Sequence, residues 1–370
     1  MRKHCSGLPV SLVKNILKSF SLRPFSDVLF VTEGRNWVTS QEIRGVSLAL
    51  KQIGIPFRYS EPIRFGLPGQ SIFLPSVYFI VKPSRFLWCN NRIAFPFYHG
   101  YPSSGNPLVL ECHNNIKKYH HKISRIQASH SFMRDIILES GIDPQKVFLI
   151  PIAVDDRFFS MQTTDSKRKA RERYQIPQTA VVIGSFQKDG VGWGDGLEPK
   201  LVKGPDVFLD TIGILKESIS ELFVLISGPS RGYIIKGLDK LSVSYKHVYL
   251  DDYSDIGQLY QCLDLYIIAS REEGGPKAIL ESMISGVPLV TTRVGQAMDL
   301  VDHCENALMV DVEDSEGLAY WSRKILSDTQ LQNKLIENAF VTAKNNTYLA
   351  HAPLWKMFFK GFVSSTMLDL

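Results

Sequence analysis

Apolar runs alternate with helix-like patterns throughout the first half of the chain. Residues 27–32 (DVLFVT) form an apolar run of the kind found in buried strands, and the Thr39–Glu42 spacing after it predicts a capping box that starts a helix. That helix would bury the stripe that runs from Ile43 to Ile53. Further strands are predicted at 77–81, 92–97, 125–128 and 147–154, with a helix at 131–140. This alternation predicts a mainly parallel, doubly wound sheet.

The second half repeats the scheme after a polar, charge-dense stretch at 155–179. Strands are predicted at 180–186, 222–227, 263–270 and 288–292, with helices that begin at Pro205 and Pro276. We therefore expect an α/β protein with two Rossmann-like, doubly wound parallel-sheet domains, residues 1–154 and 155–345, that face a cleft. The apolar tail at 346–370 is predicted to form a C-terminal helix that crosses back and packs on the N-terminal domain.

Composition narrows the class of protein. The 370 residues are 44% hydrophobic and 21% charged, which fits a globular chain that can bury a core. A net charge of +5 is too small over this length to indicate a nucleic-acid partner. The five cysteines are scattered and form no Cys-x-x-Cys pair. We therefore expect neither a disulfide framework nor a zinc site, and a reducing, cytoplasmic environment.

Contact with a membrane depends on one segment near the N-terminus. The longest apolar run, at 71–81, contains a proline and is too short to cross a bilayer as a helix. The basic and apolar segment 7–25 either lies on an anionic membrane surface as an amphipathic helix or docks on the protein as an ordinary helix. Peripheral contact at the inner face of a membrane therefore stays open.

The strongest chemical signal is the segment SREEGGPKAILESMISGVP in the second half. A buried strand ends there, and Glu273 and Glu281 can both reach the crevice beyond the carboxyl ends of the strands, where open α/β sheets bind ligands. The amides of Gly274, Gly275 and Lys277 at a helix N-terminus suit an electronegative oxygen, and a carboxylate can accept two sugar hydroxyls. The segment indicates a site for a polyol and a phosphate; a surface turn with solvated glutamates is the alternative.

This segment resembles the donor-site signature of the family 4 glycosyltransferases, which are retaining enzymes of GT-B fold. The Glu-x7-Glu spacing of Glu273 and Glu281 carries the resemblance. Further segments agree in order, namely RIQASHSFMRDI from Arg125, KVFLIPIAVDDRFF from Lys146 and KGPDVFLDTIGIL from Lys203. The resemblance implies that Glu273 and the amides of Gly274 and Gly275 hold hydroxyls of the transferred sugar, while Glu281 holds the ribose of the nucleotide.

The resemblance also implies where the diphosphate binds. Lys203 would neutralise it at a helix start, where a cation, free amides and the helix dipole converge, and Gly228 would line the nucleotide pocket. The family's second phosphate-binding arginine is absent, because Gly184-Ser185-Phe186 stands where Gly-Arg-Leu is usual. Lys188 is the candidate replacement. The inserted loop that carries Trp193 either closes over the donor as a flap or is a floppy insertion with Lys188 in solvent.

The N-terminal half, where the resemblance implies that the acceptor binds, departs further from the family. His99, after the predicted strand 92–97, is the first candidate for contact with the sugar or the acceptor, and Lys82 is the second. A structural histidine is the alternative for His99. Gly34 and Arg35 lie in the first loop, where relatives place a glycine-rich turn against the donor phosphates.

The sequence therefore predicts a metal-independent, retaining glycosyltransferase that moves a sugar from a nucleoside diphosphate to an acceptor hydroxyl. Glu273, His99 and Lys203 are the candidate catalytic residues. No cofactor or essential metal is expected, because Lys203 and helix amides can neutralise the charge. The expected partners are a nucleotide sugar and a glycan or glycolipid acceptor, in polysaccharide or surface-glycan synthesis. The alternatives are another GT-B enzyme, such as a sugar-nucleotide epimerase or a phosphorylase, and a non-catalytic sugar-nucleotide-binding subunit.

Overall fold

The computed structural model describes residues 25–32, 38–60, 68–81 and 90–364, with the backbone alone for Val38 and Thr39. The first half forms a parallel sheet in the order β2-β1-β3-β4-β5-β6. Its strands are β1 (Val28–Val31), β2 (Phe57–Ser60), β3 (Ser71–Phe73), β4 (Arg92–Phe97), β5 (Ile123–Ala128) and β6 (Val147–Leu149). Its helices are α1 (Val38–Gln52), α2 (Pro107–Tyr119) and α3 (Ser131–Leu138). Two buried apolar clusters cover the two faces of this sheet.

The second half forms another parallel sheet, in the order β12-β11-β10-β7-β8-β9. Its strands are β7 (Val181–Phe186), β8 (Leu222–Ser227), β9 (Ser244–Val248), β10 (Leu265–Ile268), β11 (Leu289–Thr292) and β12 (Leu308–Val310). The helices are α4 (Thr164–Tyr174), α5 (Pro205–Lys216), α6 (Gly232–Leu241), α7 (Ile256–Tyr260), α8 (Lys277–Ile284), α9 (Ala297–Leu300), α10 (Ser315–Ser327) and α11 (Thr329–Asn345), and α12 (Ala352–Phe359) follows. The predicted pair of doubly wound domains is confirmed.

The predicted strand at 77–81 is wrong. Val77–Val81 is a 3-10 helix, and its buried side chains Val77 and Ile80 lie three residues apart, which is the period of that helix. In the apolar run 71–81, the strand is β3, which occupies only the first three residues. A run without polar interruptions does not distinguish between these two conformations, because either can be buried.

Two other boundaries also differ from prediction. Helix α1 begins at Val38, so Thr39 lies inside the helix and is not the residue that caps it. The polar stretch at 155–179 contains helix α4, which Thr163 caps through its side chain and the amide of Ser166. This helix has a mostly charged surface, so its hydrophobic periodicity is weak.

The C-terminal helix α12 packs on the N-terminal sheet, as predicted. Its Trp355 and Phe358 rings lie 6.1 and 6.0 Å from the Phe73 ring of β3, and Phe358 lies 5.1 Å from Phe148 of β6. The chain then continues so that the Phe362 carbonyl accepts a hydrogen bond from Ser71 Oγ at 2.6 Å. The last described helix therefore completes the core of the first sheet.

Most of the segment expected to contact a membrane, residues 7–24, lies outside the described residues, as do Gly34, Arg35 and Lys82. Phe25 is described and is docked on the protein, with its N–H donating to the Gly69 carbonyl at 2.8 Å and the Arg92 guanidinium 4.1 Å from its ring centroid. Among the described helices, none has both the length and the apolar character needed to cross a bilayer.

Replacing Trp355 tests the role of α12 in the N-terminal core. Trp355 is 2% exposed, and we expect Trp355→Ala to cost about 3–5 kcal/mol because it leaves a large cavity among aromatic rings. Met357, on the same helix, is 57% exposed, so Met357→Ala should change stability by no more than about 0.5 kcal/mol. Denaturant unfolding measures both. Equal stability of the two variants would contradict the packing described here.

Candidate functional site

The carboxyl ends of the two sheets meet at a cleft. Ser129, directly after β5, donates its hydroxyl to the Gly274 carbonyl at 2.8 Å and lies within 3.2 Å of the Tyr98 carbonyl, directly after β4. On the same side, the Ile152 N–H donates to Gln296 Oε1 at 2.9 Å. The turn that follows β10 is therefore held against the N-terminal domain, at the edge where open parallel sheets bind ligands.

Lys203 and Glu273 form an ion pair in this cleft. Lys203 Nζ lies 2.5 Å from Glu273 Oε1, and Ser270 Oγ donates to the same oxygen at 3.1 Å. Gly204 fixes the position of the lysine, since a Cβ there would lie 1.8 Å from the Ala269 carbonyl oxygen and its φ is +61°. Because Gly204 sits at the start of α5, Lys203 is held beside that helix N-terminus and against the end of β10.

His99 approaches this ion pair from the N-terminal domain. It follows β4, and its ring lies 6.3 Å from that of Tyr78. The His99 side chain keeps accessible surface in the cleft, yet the surrounding protein desolvates its charged form, and this effect together with the positive charge of Lys203 lowers its pKa to about 4. At neutral pH the imidazole is uncharged, and it can donate one hydrogen bond and accept another.

The glycine turn offers backbone donors. Among the described residues, no protein acceptor pairs with the amides of Gly274 and Gly275. Helix α8 follows the turn and begins at Lys277, with Pro276 as its N-cap and not as its first residue, one position later than predicted. The turn and the start of α8 together form an arrangement that suits an anionic or electronegative oxygen.

Glu281 lies deeper than Glu273. Its carboxylate accepts hydrogen bonds from the hydroxyls of Tyr253 and Tyr260, the latter at 2.9 Å. Burial raises the pKa of this carboxyl group, while the nearby charge of Lys277 opposes the shift. Each carboxylate oxygen has two lone pairs, so Glu281 retains acceptor capacity for a further hydroxyl.

The inserted loop is a hairpin anchored on the C-terminal domain. Gly190 and Pro199 form an antiparallel bridge, and the Lys200 N–H donates to the Asp189 carbonyl at 2.7 Å. Gly196 packs so tightly that a Cβ would lie 2.2 Å from the Ser230 carbonyl oxygen. We name residues 189–200 the 189–200 hairpin. These anchoring contacts do not fit a floppy insertion, and closure over the donor as a flap stays a prediction.

Comparison with known proteins agrees with this geometry. Residues 197–341 match the family described as Glycosyl transferases group 1. The matched region includes Lys203, Glu273 and Glu281, while His99 lies in the half of the chain before it.

The curated relatives of this chain are distant in sequence. The chain is similar to an N-acetyl-alpha-D-glucosaminyl L-malate synthase of Bacillus anthracis, at 26% identity over 57% of this chain and 52% of the relative. It is also similar to a lipopolysaccharide core biosynthesis glycosyltransferase of Rhizobium meliloti, at 31% identity over 33% of this chain and 36% of the relative. The aligned regions thus span about half or less of each of these two relatives.

Solved structures similar to the whole chain carry the same architecture. Anabaena HepE in complex with UDP and glucose matches with a TM-score of 0.72 and 16% identity, over 91% of this chain and all of that one. A sucrose-phosphate synthase of Thermosynechococcus elongatus matches with a TM-score of 0.71 and 13% identity, over 91% of this chain and 100% of that one. The fold is GT-B, and the region that matches the group 1 family lies in its C-terminal half.

The cleft also contains residues that the sequence did not single out. Lys200 lies one 3-10 turn before Lys203, and desolvation by the surrounding protein together with the charge of Lys203 lowers its pKa. Burial raises the pKa of Glu272, which neighbours Glu273. The sequence does place a second lysine, Lys200, three residues before the Lys-Gly-Pro motif. Lys200 reaches the cleft, however, only because the hairpin folds back.

Two predicted donor residues hold other partners. The ammonium group of Lys188 lies 3.7 Å from the centroid of the Trp193 ring. Gly228 follows β8, and its carbonyl lies 2.8 Å from the Nε2 atom of His247. Among the described residues, no three metal-ligating side chains lie together. The expectation that no metal is needed remains a prediction.

An ion pair between the two domains borders the site. Lys277, the first residue of α8, reaches Glu42 of α1 with 2.5 Å between Nζ and Oε1, and the Tyr348 hydroxyl lies 3.3 Å from the same ammonium group. Beside this contact is a cavity of about 280 Å³, whose lining includes Arg44 and Tyr253. The side chain of Lys277 therefore ties α8 to the N-terminal domain.

The Glu42–Lys277 pair should stabilise the contact between the two domains. Because its side chains are only 8% and 16% exposed, Glu42→Gln should cost about 1.5–3 kcal/mol, since the amide keeps an acceptor but loses the charge. Glu305→Gln is the matched control. It removes the charge from a Glu305–Lys334 pair of the same length, whose side chains are 49% and 48% exposed, and should cost no more than about 0.5 kcal/mol. Denaturant unfolding that gives equal losses would contradict a stabilising role.

Proposed function

We propose that the protein is a retaining glycosyltransferase that moves a sugar from a nucleoside diphosphate to the hydroxyl of a glycan or glycolipid, in polysaccharide or surface-glycan synthesis. The observation that carries this proposal is the Lys203–Glu273 pair beside the open amides of a glycine turn, opposite His99. A cation, a carboxylate and a neutral imidazole in one cleft match the three chemical needs of the reaction: a charged leaving group, a polyol and an attacking hydroxyl.

Each residue acts on a different part of the donor. The Lys203 ammonium and the helix start take the negative charge that develops on the departing diphosphate. Glu273 accepts hydrogen bonds from hydroxyls of the transferred sugar, and Glu281 accepts them from the ribose. Because Lys203 and Glu273 are already paired, the donor enters a site whose two charged groups hold each other in position before it binds.

His99 contacts the sugar or the acceptor hydroxyl as a neutral group. A pKa of about 4 keeps it uncharged at neutral pH, so it does not compete with Lys203 for the diphosphate. Transfer occurs on one face of the sugar: the bond from the anomeric carbon to the diphosphate oxygen breaks, the acceptor oxygen bonds to that carbon, and the hydroxyl proton passes to the departing phosphate. No residue of the chain is required as a covalent nucleophile in this scheme.

The names of similar proteins support the proposal. The Rhizobium relative is a lipopolysaccharide core biosynthesis glycosyltransferase, and the HepE structure contains UDP and glucose. The alternatives differ in what they consume. An epimerase or phosphorylase would use a sugar nucleotide, or need only phosphate, without an acceptor, and a binding subunit would hold the donor without turnover. Assays with and without acceptor extract therefore separate the three classes.

Replacing Lys203 tests the diphosphate contact. Lys203→Ala should weaken the binding of the diphosphate that the wild type prefers among UDP, GDP and ADP by about ten- to a hundredfold, since a charge-assisted contact contributes about 1.5–3 kcal/mol. Removing the lysine also leaves Glu273 unpaired beside the phosphates. Titration calorimetry measures the affinity, and Lys240→Ala, which removes an exposed charge from the end of α6, is the control. Unchanged affinity of Lys203→Ala would remove Lys203 from the site.

Replacing Glu273 tests the sugar contact. Glu273→Gln should leave the protein folded at the assay temperature but lower kcat on the order of a hundredfold, because the lost group is proposed to act on the reacting sugar. Glu313→Gln is the control, since that carboxylate is exposed and pairs with Arg271. Transfer of a labelled sugar to a glycolipid extract gives the rate, and NMR of the product gives the anomeric configuration. Full activity of Glu273→Gln, or an inverted product, would reject this part of the proposal.

A further inference from the structure

The 189–200 hairpin is hydrogen-bonded to the C-terminal domain along its second half. The hydroxyl of Ser230 donates to the Gly194 carbonyl at 3.1 Å, and the N–H groups of Gly232 and Tyr233 donate to the carbonyls of Asp195 and Gly196 at 2.8 and 2.9 Å. These contacts join the tip of the hairpin to the start of α6. The tip of the hairpin is therefore attached to the C-terminal domain.

A buried ion pair fixes the base of the hairpin. Asp189 and Arg231 are almost fully buried, with 3.0 Å between Asp189 Oδ1 and Arg231 Nε. The same guanidinium donates to the carbonyls of Ser185 and Ser227 at 2.7 and 2.6 Å. Burial on this scale requires the pair to stay together, since either charge alone would be costly.

Arg231 does not replace the missing arginine. Its guanidinium lies at Ser185, the position where resembling enzymes carry a phosphate-binding arginine, but its donors are directed to protein carbonyls and to Asp189. It has no accessible surface to offer a ligand. The positive charge at this end of β7 therefore stabilises the fold and is not available to a phosphate.

Three lysines surround the space in front of α5. Lys203 is paired with Glu273, and Lys188 lies over the Trp193 ring. The Lys200 side chain is exposed, and within the described residues its ammonium group has no hydrogen-bond or ion-pair partner. The ammonium group still interacts electrostatically with Lys203, Glu273 and Lys188. Its charge also acts on His99 across the cleft. Because side chains three positions apart lie on one face of a 3-10 turn, Lys200 and Lys203 are directed to the same side.

We propose that Lys200, held by the 189–200 hairpin, is the second cation that binds the diphosphate of the donor. This inference rests on the proposed function and adds a contact to its site. The backbone supports it: the Lys200 N–H is fixed by the Asp189 carbonyl, and the Lys200 carbonyl accepts from the Lys203 N–H at 2.8 Å, so one 3-10 turn presents both lysines. Lys203 then binds the diphosphate while it is also paired with Glu273, whereas Lys200 binds it without a competing carboxylate partner.

The experiment compares diphosphates with monophosphates. Titration calorimetry is carried out with UDP and UMP, and likewise with the GDP and GMP and the ADP and AMP pairs, on the wild type, Lys200→Ala, Lys200→Arg, Lys188→Ala and Lys240→Ala. The preferred diphosphate should bind Lys200→Ala about tenfold or more weakly than it binds the wild type, while binding of its monophosphate changes much less. Lys200→Arg should recover most of the loss, and Lys240→Ala should match the wild type.

Salt dependence supplies a second measurement. Because Lys200 is proposed to contact a phosphate directly, Lys200→Ala should reduce the slope of log affinity against log salt for the diphosphate, and Lys188→Ala should leave most of that slope in place. Equal diphosphate affinity of Lys200→Ala and wild type would overturn the inference and leave the proposed function intact, as would a loss confined to Lys188→Ala. A wild type that binds none of the three diphosphates would overturn the proposed function together with the inference.

Discussion

The ion pair between Lys203 and Glu273 joins the two chemical halves of the candidate site. A lysine at the start of one helix and a glutamate in the turn before another are held within 2.5 Å, and each is supported by backbone that allows little freedom. Without the carboxylate, three lysines would repel one another across a small volume. Without the lysine, the carboxylates of Glu272 and Glu273 would repel each other. The pair is therefore a condition for assembling these groups in one place.

Assembly of the site also depends on contacts between the domains. Ser129 bonds the glycine turn, Gln296 bonds the Ile152 backbone, and Glu42 pairs with Lys277, so three separate segments of the N-terminal domain touch the loops that carry the donor-side residues. Two of these contacts are uncharged hydrogen bonds and one is a largely buried ion pair. The relative position of His99 and Glu273 is consequently set by the interface and not by either sheet alone.

The sequence predicted the regularly repeating strands and helices well, because hydrophobic periodicity and the prolines and glycines at element ends determine them. Strand β8 and helix α5 lie where the apolar pattern and the proline indicated. The turn at Glu273 follows β10 for the same reason. The prediction of a strand at 77–81 was wrong because an uninterrupted apolar run shows neither the strand period nor the helix period. The predicted start of α1 was wrong because a Thr-x-x-Glu spacing also occurs inside helices.

The role of the inserted segment could not be predicted in the same way. Lys188 was the natural choice from sequence position, yet a ring five residues later covers it, and Lys200 reaches the cleft only because the hairpin folds back on itself. Such placement depends on tertiary contacts with Ser230 and Arg231, which no local pattern encodes. The same limitation applies to Glu42, whose partner lies 235 positions away.

The aromatic side chains of α12 have a consequence for biosynthesis. Phe73 and Phe148 belong to the first sheet, but the rings that cover them come from residues 355 and 358, which the ribosome adds more than two hundred positions later. The core of the second sheet also contains late residues, since Leu335, Ala339 and Ala343 of α11 belong to it. The first sheet keeps an uncovered apolar face until α12 has been made, and transiently exposed apolar surface of this kind is prone to aggregate.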